Sequence, residues 1–329
     1  MRHVHLHLVA SLGLLAGMLA SCAPSTDTSG PRTSWGDPDI QGTWFVMESV
    51  PLERSGANEG REFLTEEEVA AADAEKALDP GRNARSANST QDVTGAYNAV
   101  FNSILRTSRR TSMVIDPPDG RIPPLVEDAQ GGRGGRGGRG GRGFGGGGNQ
   151  NDNPETTAQS PRCLGVRAEF LPLNTTFAQG TVLQIVQSPE SVGIYLEDDH
   201  AGGGNRVVYL DDRPLPRGAG SYLGDARGRW EGDTLVVETT NFTDGFRGSN
   251  PATFRMIERF TRVSDQLNRE ITFEDPRTWT RSWTVLIEMG RAEDGRHMIF
   301  DSTCHEGNYG MTGILMGSRM EEAEEAAGQ

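Results

Sequence analysis

Beyond the amino-terminal stretch the histidines of this chain are His200, His297 and His305, so any proton transfer through imidazole near neutral pH must use them. His305 and Glu306 follow Cys304 directly and precede a turn-forming run, Gly307-Asn308-Tyr309-Gly310. A carboxylate next to an imidazole can orient it, and a turn can present both to a cavity. That is the composition of a general acid–base site, with His200 as a third member. The same loop equally suits a structural role, with His305 and Glu306 hydrogen-bonded to neighbouring strands.

Glu197-Asp198-Asp199-His200 brings metal-ligating side chains close in sequence. A three-residue spacing places Glu197 and His200 on one face only in a helix, whereas on a strand they point to opposite sides. No chelate is expected there unless Asp198 and Asp199 form a turn. The chain lacks a phosphate-cradling glycine loop, a Gly-x-Ser-x-Gly elbow and a Cys-x-x-Cys pair, so standard nucleotide, zinc and cofactor classes are not supported.

A second constellation is charged and internal. If Ser264-Asp265 is a two-residue hairpin loop, Val263 opposes Gln266, Phe260 faces Arg269 and Glu258 faces Ile271. Glu258 and Arg269 are then diagonal neighbours on the face that also carries Met256 and Phe273. Such a pair is expected either as a structural ion pair at the rim or as a polar ligand position inside a barrel. Trp230, Trp279 and Trp283 are the aromatic residues expected to line a ligand cavity or a core.

These residues need strands to position them. Runs of alternating polarity extend over 182–187, 192–197, 206–210, 229–230, 234–240, 254–263, 266–273, 281–289 and 297–301, separated by Gly, Asp, Ser or Pro. With 40–46 ahead of them, about ten strands in sequence order make the chain mainly β. They predict an antiparallel meander that closes as a barrel or folds as a sandwich, with closure preferred because it removes exposed edges. A further hairpin is expected around Asp116-Pro117-Pro118-Asp119-Gly120, between 111–115 and 121–122. One short surface helix is expected over 66–78: Thr65 and Glu68 form a capping box, acidic residues fill its first turn, and its apolar stripe is weak.

Composition marks the rest. Residues 131–148 repeat arginine and glycine, extended by a polar stretch to 159, and no packed structure is expected there. In a cytosolic chain such a repeat would suggest RNA binding. Here a formal net charge of −14 disfavours nucleic acid and anionic lipid headgroups as partners, and the repeat is expected as a tolerated loop insertion. Residues 320–329 are expected as an acidic, disordered tail.

At the other end Arg2 precedes an apolar stretch, Leu8 to Leu19, that is too short to span a bilayer. Leu19-Ala20-Ser21-Cys22 follows and resembles the bacterial lipobox. The expectation is a signal peptide over 1–21, lipid with palmitate-type acyl chains on Cys22, and a flexible tether over 22–34 rich in Ser, Thr, Pro and Gly. Ala23 is not Asp, which resembles the default for outer-membrane sorting. The chain has three cysteines, so lipidation of Cys22 leaves Cys163 and Cys304 as an even pair in an oxidising compartment. A Cys163–Cys304 disulfide is expected, closing a loop of about 140 residues and stabilising by at most about 5 kcal/mol. Residues 35–319 are expected as a single domain.

Longer motifs carry a resemblance. Trp35-Gly36-Asp37-Pro38-Asp39-Ile40-Gln41-Gly42-Thr43-Trp44, Gly60-Arg61-Glu62-Phe63-Leu64-Thr65, the run from Gly224 through Phe242, Glu258-Arg259-Phe260-Thr261-Arg262, Glu274-Asp275-Pro276 with Thr278-Trp279-Thr280-Arg281, and Cys304-His305-Glu306-Gly307-Asn308-Tyr309-Gly310 resemble a family of exported, often lipidated bacterial proteins with no assigned activity. That family usually carries Glu-x-x-His-Asp-x-Arg after the second hairpin. Here Glu197 and His200 are followed by Ala201 and glycines before Arg206, which puts any role of the missing Asp in doubt. Gly42-Thr43-Trp44 also looks like the Gly-x-Trp of a lipocalin first strand and implies a lipocalin- or calycin-like barrel. The function expected is that of a membrane-anchored envelope lipoprotein, on the periplasmic side of the outer membrane, that binds a hydrophobic small molecule or acts as an accessory protein. The alternative is an envelope enzyme using His305 and Glu306.

Overall fold

The computed structural model describes residues 30–78, 105–127, 129, 153–155, 157, 162–163, 182–196, 204–211, 220–221, 223–243, 249–292, 299 and 309–327. In chain order the elements are β1 (Gly42–Val46), β2 (Glu48–Ser49), α1 (Glu66–Leu78), β3 (Arg106–Thr107), β4 (Val114–Asp116), β5 (Val182–Gln187), β6 (Ser191–Leu196), β7 (Gly204–Tyr209), β8 (Asp225–Glu231), β9 (Thr234–Thr240), β10 (Arg255–Val263), β11 (Gln266–Glu274), β12 (Trp283–Arg291) and α2 (Tyr309–Ala327).

Strands β5 to β12 follow one another around a sheet, and β1 pairs with both β5 and β12, so the sheet closes as a nine-stranded barrel. Of the two expected architectures, the barrel is the one formed. All ladders between consecutive barrel strands are antiparallel except one. β7 and β8 run parallel and share only the rungs Val208–Ala226 and Tyr209–Arg227. The expected meander therefore has one break, where the chain between them crosses over instead of turning back.

Closure follows from alternation. Met256, Glu258 and Phe260 on β10, Leu267, Arg269, Ile271 and Phe273 on β11, and Trp283, Val285, Ile287 and Met289 on β12 all point inward and are buried. Each fully buried apolar side chain among them is worth about 1.5–3 kcal/mol in the transfer picture, whereas the two charged ones need partners. The outward positions between them carry charge: Arg255 pairs with Glu238 and Glu274, and Glu231 pairs with Arg229 and Arg259.

At one place the first strand is fixed by side chains. Gln187 accepts from the Ile40 amide and donates to the Pro38 carbonyl. Trp44 donates its indole N–H to the Ile40 carbonyl at 3.0 Å. The guanidinium groups of Arg262 and Arg291 both lie over its ring, 5.6 and 5.8 Å from the centroid, contacts stabilised by the ring quadrupole.

The helix over 66–78 forms as read, with Thr65 N–H donating to Glu68 and Glu68 N–H donating to the Thr65 hydroxyl. The hairpin expected around 116–120 does not form: the turn is present, but β4 pairs with the far strand β12 and residues 121–122 are not a strand. Burial explains the difference, because Val114 and Met113 reach the core only by joining the barrel wall. The tail expected as disordered from 320 is helical to Ala327 as part of α2, whose only buried residue is Ser318. Met, Glu and Ala are strong helix formers, and they outweigh the charge that suggested disorder.

Candidate functional site

The barrel interior holds one charged cluster among the described residues, and the long hairpin builds it. Val263 pairs with Gln266, Phe260 with Arg269 and Glu258 with Ile271, as the two-residue turn at Ser264-Asp265 requires. Ser264 takes a positive φ of 56° there, consistent with the turn types that match strand twist. Glu258 and Arg269 thus become diagonal neighbours on the inner face.

Arg269 reaches the Glu258 carboxylate with two nitrogens on Oε1, Nε at 3.0 Å and Nη2 at 2.7 Å. The other oxygen is taken from across the barrel. Arg206 on β7 places Nη1 2.5 Å from Glu258 Oε2, and the same nitrogen donates to the Thr239 hydroxyl at 3.2 Å. The side chains of Arg206, Glu258 and Arg269 are 4%, 0% and 3% exposed. The sequence suggested a pair at the rim or a ligand position; the structure instead holds a triad sealed in the core.

Burial alone would raise the Glu258 pKa, but the Arg206 and Arg269 guanidiniums outweigh it and hold the carboxyl below its ordinary value. Burial pulls Arg269 down from its ordinary value, opposed by Glu258. The carboxylate therefore stays ionised through neutral pH. It has no proton to give there, so the triad acts as a fixed electrostatic tie between β7, β10 and β11 rather than as an acid–base device.

Next to it lies a cavity of about 10 Å³ lined by Leu196, Gly204, Leu223 and the two arginines, among others. That is space for a single water at most. Trp279 and Trp283 do not line a chamber either: both are buried in a cluster with Phe242, Phe254 and Phe273, where Phe273 and Trp283 stack at 4.4 Å and Trp279 meets Trp283 edge-on at 5.6 Å. Trp230 is half-buried against the same core. Of the alternatives read for these aromatic residues, core is where they sit.

Asp275 fixes the approach to that cluster. Its carboxylate accepts from the Thr253 hydroxyl at 2.7 Å, the Asn250 amide at 2.7 Å and the Arg277 amide at 3.1 Å. Burial would raise its pKa, but these hydrogen bonds and one from Thr278 hold it below the ordinary range.

His200, His305, Glu306, Cys22 and Cys304 lie outside the described residues, so the acid–base constellation and the cross-link are not placed. Cys163 is buried. Among the described residues no group of three or more His, Cys, Asp or Glu side chains comes together to hold a metal, and no helix is long and apolar enough to cross a membrane. Sequence reasoning missed Arg206 as the third charge. The usable signal was its alternation with Val208, which puts both on the inner face of β7.

No protein-family model matches the chain, no curated protein matches it, and no solved structure matches it.

Proposed function

We propose that this chain is a lipid-tethered protein of the cell envelope whose barrel is a water-bathed binding or accessory module. The observation that supports this most is the polarity of the barrel wall. Inward positions are apolar and packed around a sealed ion triad, while outward positions carry ion pairs such as Arg255 with Glu238 and Glu274. A barrel that spans a membrane has the opposite arrangement, with an apolar band outside. This barrel therefore needs another means of attachment, and acylated Cys22 behind a cleaved leader supplies it.

The tether has a defined reach in this reading. Arg32 is pinned to the barrel by a 2.7 Å contact with Asp233. About ten residues then separate it from Cys22, a span of at most about 35 Å. The barrel is held near the membrane surface, facing the periplasm from the outer membrane, with the Cys163–Cys304 cross-link formed outside the cytoplasm. A hydrophobic small molecule bound by such a module would occupy the outer clefts or the loops, because the described interior is filled.

Fractionation of cells expressing the full chain tests this reading. The wild type is expected in the membrane fraction and released by detergent, and Cys22→Ser in the soluble periplasmic or cytosolic fraction. Sedimentation of both with membranes would defeat it.

A further inference from the structure

The barrel wall splits where β12 changes partners along one edge. Thr284 and Val285 pair with Asp116 and Val114 of β4, with a register shift between them. Met289, Gly290 and Arg291 pair with Val46, Phe45 and Trp44 of β1. In between, the chain leaves β1 and runs into β2, which pairs with β3 instead. There the Leu286 amide donates to the Met113 carbonyl at 2.9 Å.

The split leaves a crevice of about 190 Å³. Its apolar lining comes from Val50 and Leu286, which are half-buried, with the buried Val46, Met113 and Ile287 behind them, and Glu48 and Glu288 contribute carboxylates. Met47 lines it too; a flexible thioether side chain adapts to the shape of what it covers. The lining includes no lysine and no arginine. An apolar cavity of about 150 Å³ is enough to take up benzene, so this one has room for a ring or a short branched chain.

We propose that this crevice is a binding site for a small organic ammonium compound. The apolar body sits against the half-buried Val50 and Leu286, and the ammonium is held by Glu48 and Glu288, the latter on the same face of β12 as Leu286. Both halves follow from the lining: a neutral apolar molecule would leave the two carboxylates without a counter-charge, and an anion would meet them directly. Ser108 and Gln266, also in the lining, offer oxygen acceptors to the remaining N–H groups of an ammonium. The excess of acidic residues over the whole chain, −14 at neutral pH, raises the local concentration of cations. This goes beyond the envelope reading and does not depend on it, since binding is measured on purified protein whatever its anchoring.

The test uses the full chain purified in detergent, titrated with benzylammonium and separately with benzyl alcohol by isothermal calorimetry. Wild-type protein is expected to bind benzylammonium saturably and about tenfold more tightly than benzyl alcohol. The double variant Glu48→Gln with Glu288→Gln is expected to lose that preference while keeping its thermal unfolding midpoint, as Glu288 is exposed and Glu48 half-buried. Val50→Trp, at a half-buried lining position, fills the space and is expected to block both probes. Equal binding of the two probes by the wild type overturns the proposal. So does the absence of saturable benzylammonium binding, or an unchanged preference in the double glutamine variant.

Discussion

Glu258 and Arg269 meet at 2.7 Å across one hairpin with no access to water. The second oxygen of the carboxylate belongs to Arg206, from a strand far away in sequence. Removing one partner of a buried ion pair leaves uncompensated charge and costs about 3–5 kcal/mol. Glu258→Gln keeps the shape and leaves two guanidiniums facing each other, so it is expected to destabilise by that amount in urea unfolding. A loss under about 1 kcal/mol would show that the triad is not what ties β7 to the hairpin.

Acid sensitivity follows from the same carboxylates. Glu258 and Asp275 both have folded-state pKa values held below their ordinary ones. A group with a depressed folded pKa stabilises the protein fully above its unfolded value, near 4, and that contribution is lost as pH falls through the folded value. Thermal midpoints are therefore expected to be flat from pH 8 to about pH 5 on account of these groups and to drop below about pH 4. Asp275→Asn, less stable at pH 7, is expected to show a shallower drop in acid. Parallel curves for variant and wild type would contradict the role given to Asp275.

Two glycines with similar backbone angles separate strain from space. Gly232, in the turn between β8 and β9, has φ of +62° and open surroundings. Gly224 has φ of +68°, and an added Cβ would meet Thr239 Cγ2 at 2.6 Å and the Thr240 carbonyl at 2.7 Å. Gly232→Ala is expected to cost about 1 kcal/mol from the left-handed conformation alone. Gly224→Ala adds overpacking and is expected to cost about 2–4 kcal/mol. Chemical denaturation of the two variants gives the comparison, and equal losses would refute it.

The long hairpin was legible because everything that fixes it is local. A two-residue loop sets the register, and register plus alternation decides which of Glu258, Arg259, Arg269 and Glu270 face inward. The capping box at Thr65 and Glu68 was legible for the same reason. What could not be read are the long-range pairings. Nothing near Arg206 names Glu258 as its partner, nothing in the chain before Asp225 says that β8 will run parallel to β7, and β4 joins β12 only because the core on that side must be covered. The carboxy-terminal helix was hidden by Gly310, Gly313 and Gly317, each a poor helix former, and by acidic residues that fit a solvated end as well as a helix.

The proposed cross-link has a direct readout. Alkylation of the unreduced mature protein is expected to leave Cys163 and Cys304 unmodified, and prior reduction to add two alkyl groups. Modification of both without reduction would remove the disulfide from the account.

Attachment through lipid is the claim on which compartment and role depend, and metabolic labelling measures it most directly. Cells are grown with an alkyne fatty acid, and the protein is captured and conjugated to a dye. Attachment through Cys22 predicts strong labelling of the wild type and none of Cys22→Ser. A wild-type chain that carries no label and keeps its leader, or equal labelling of both, would contradict it.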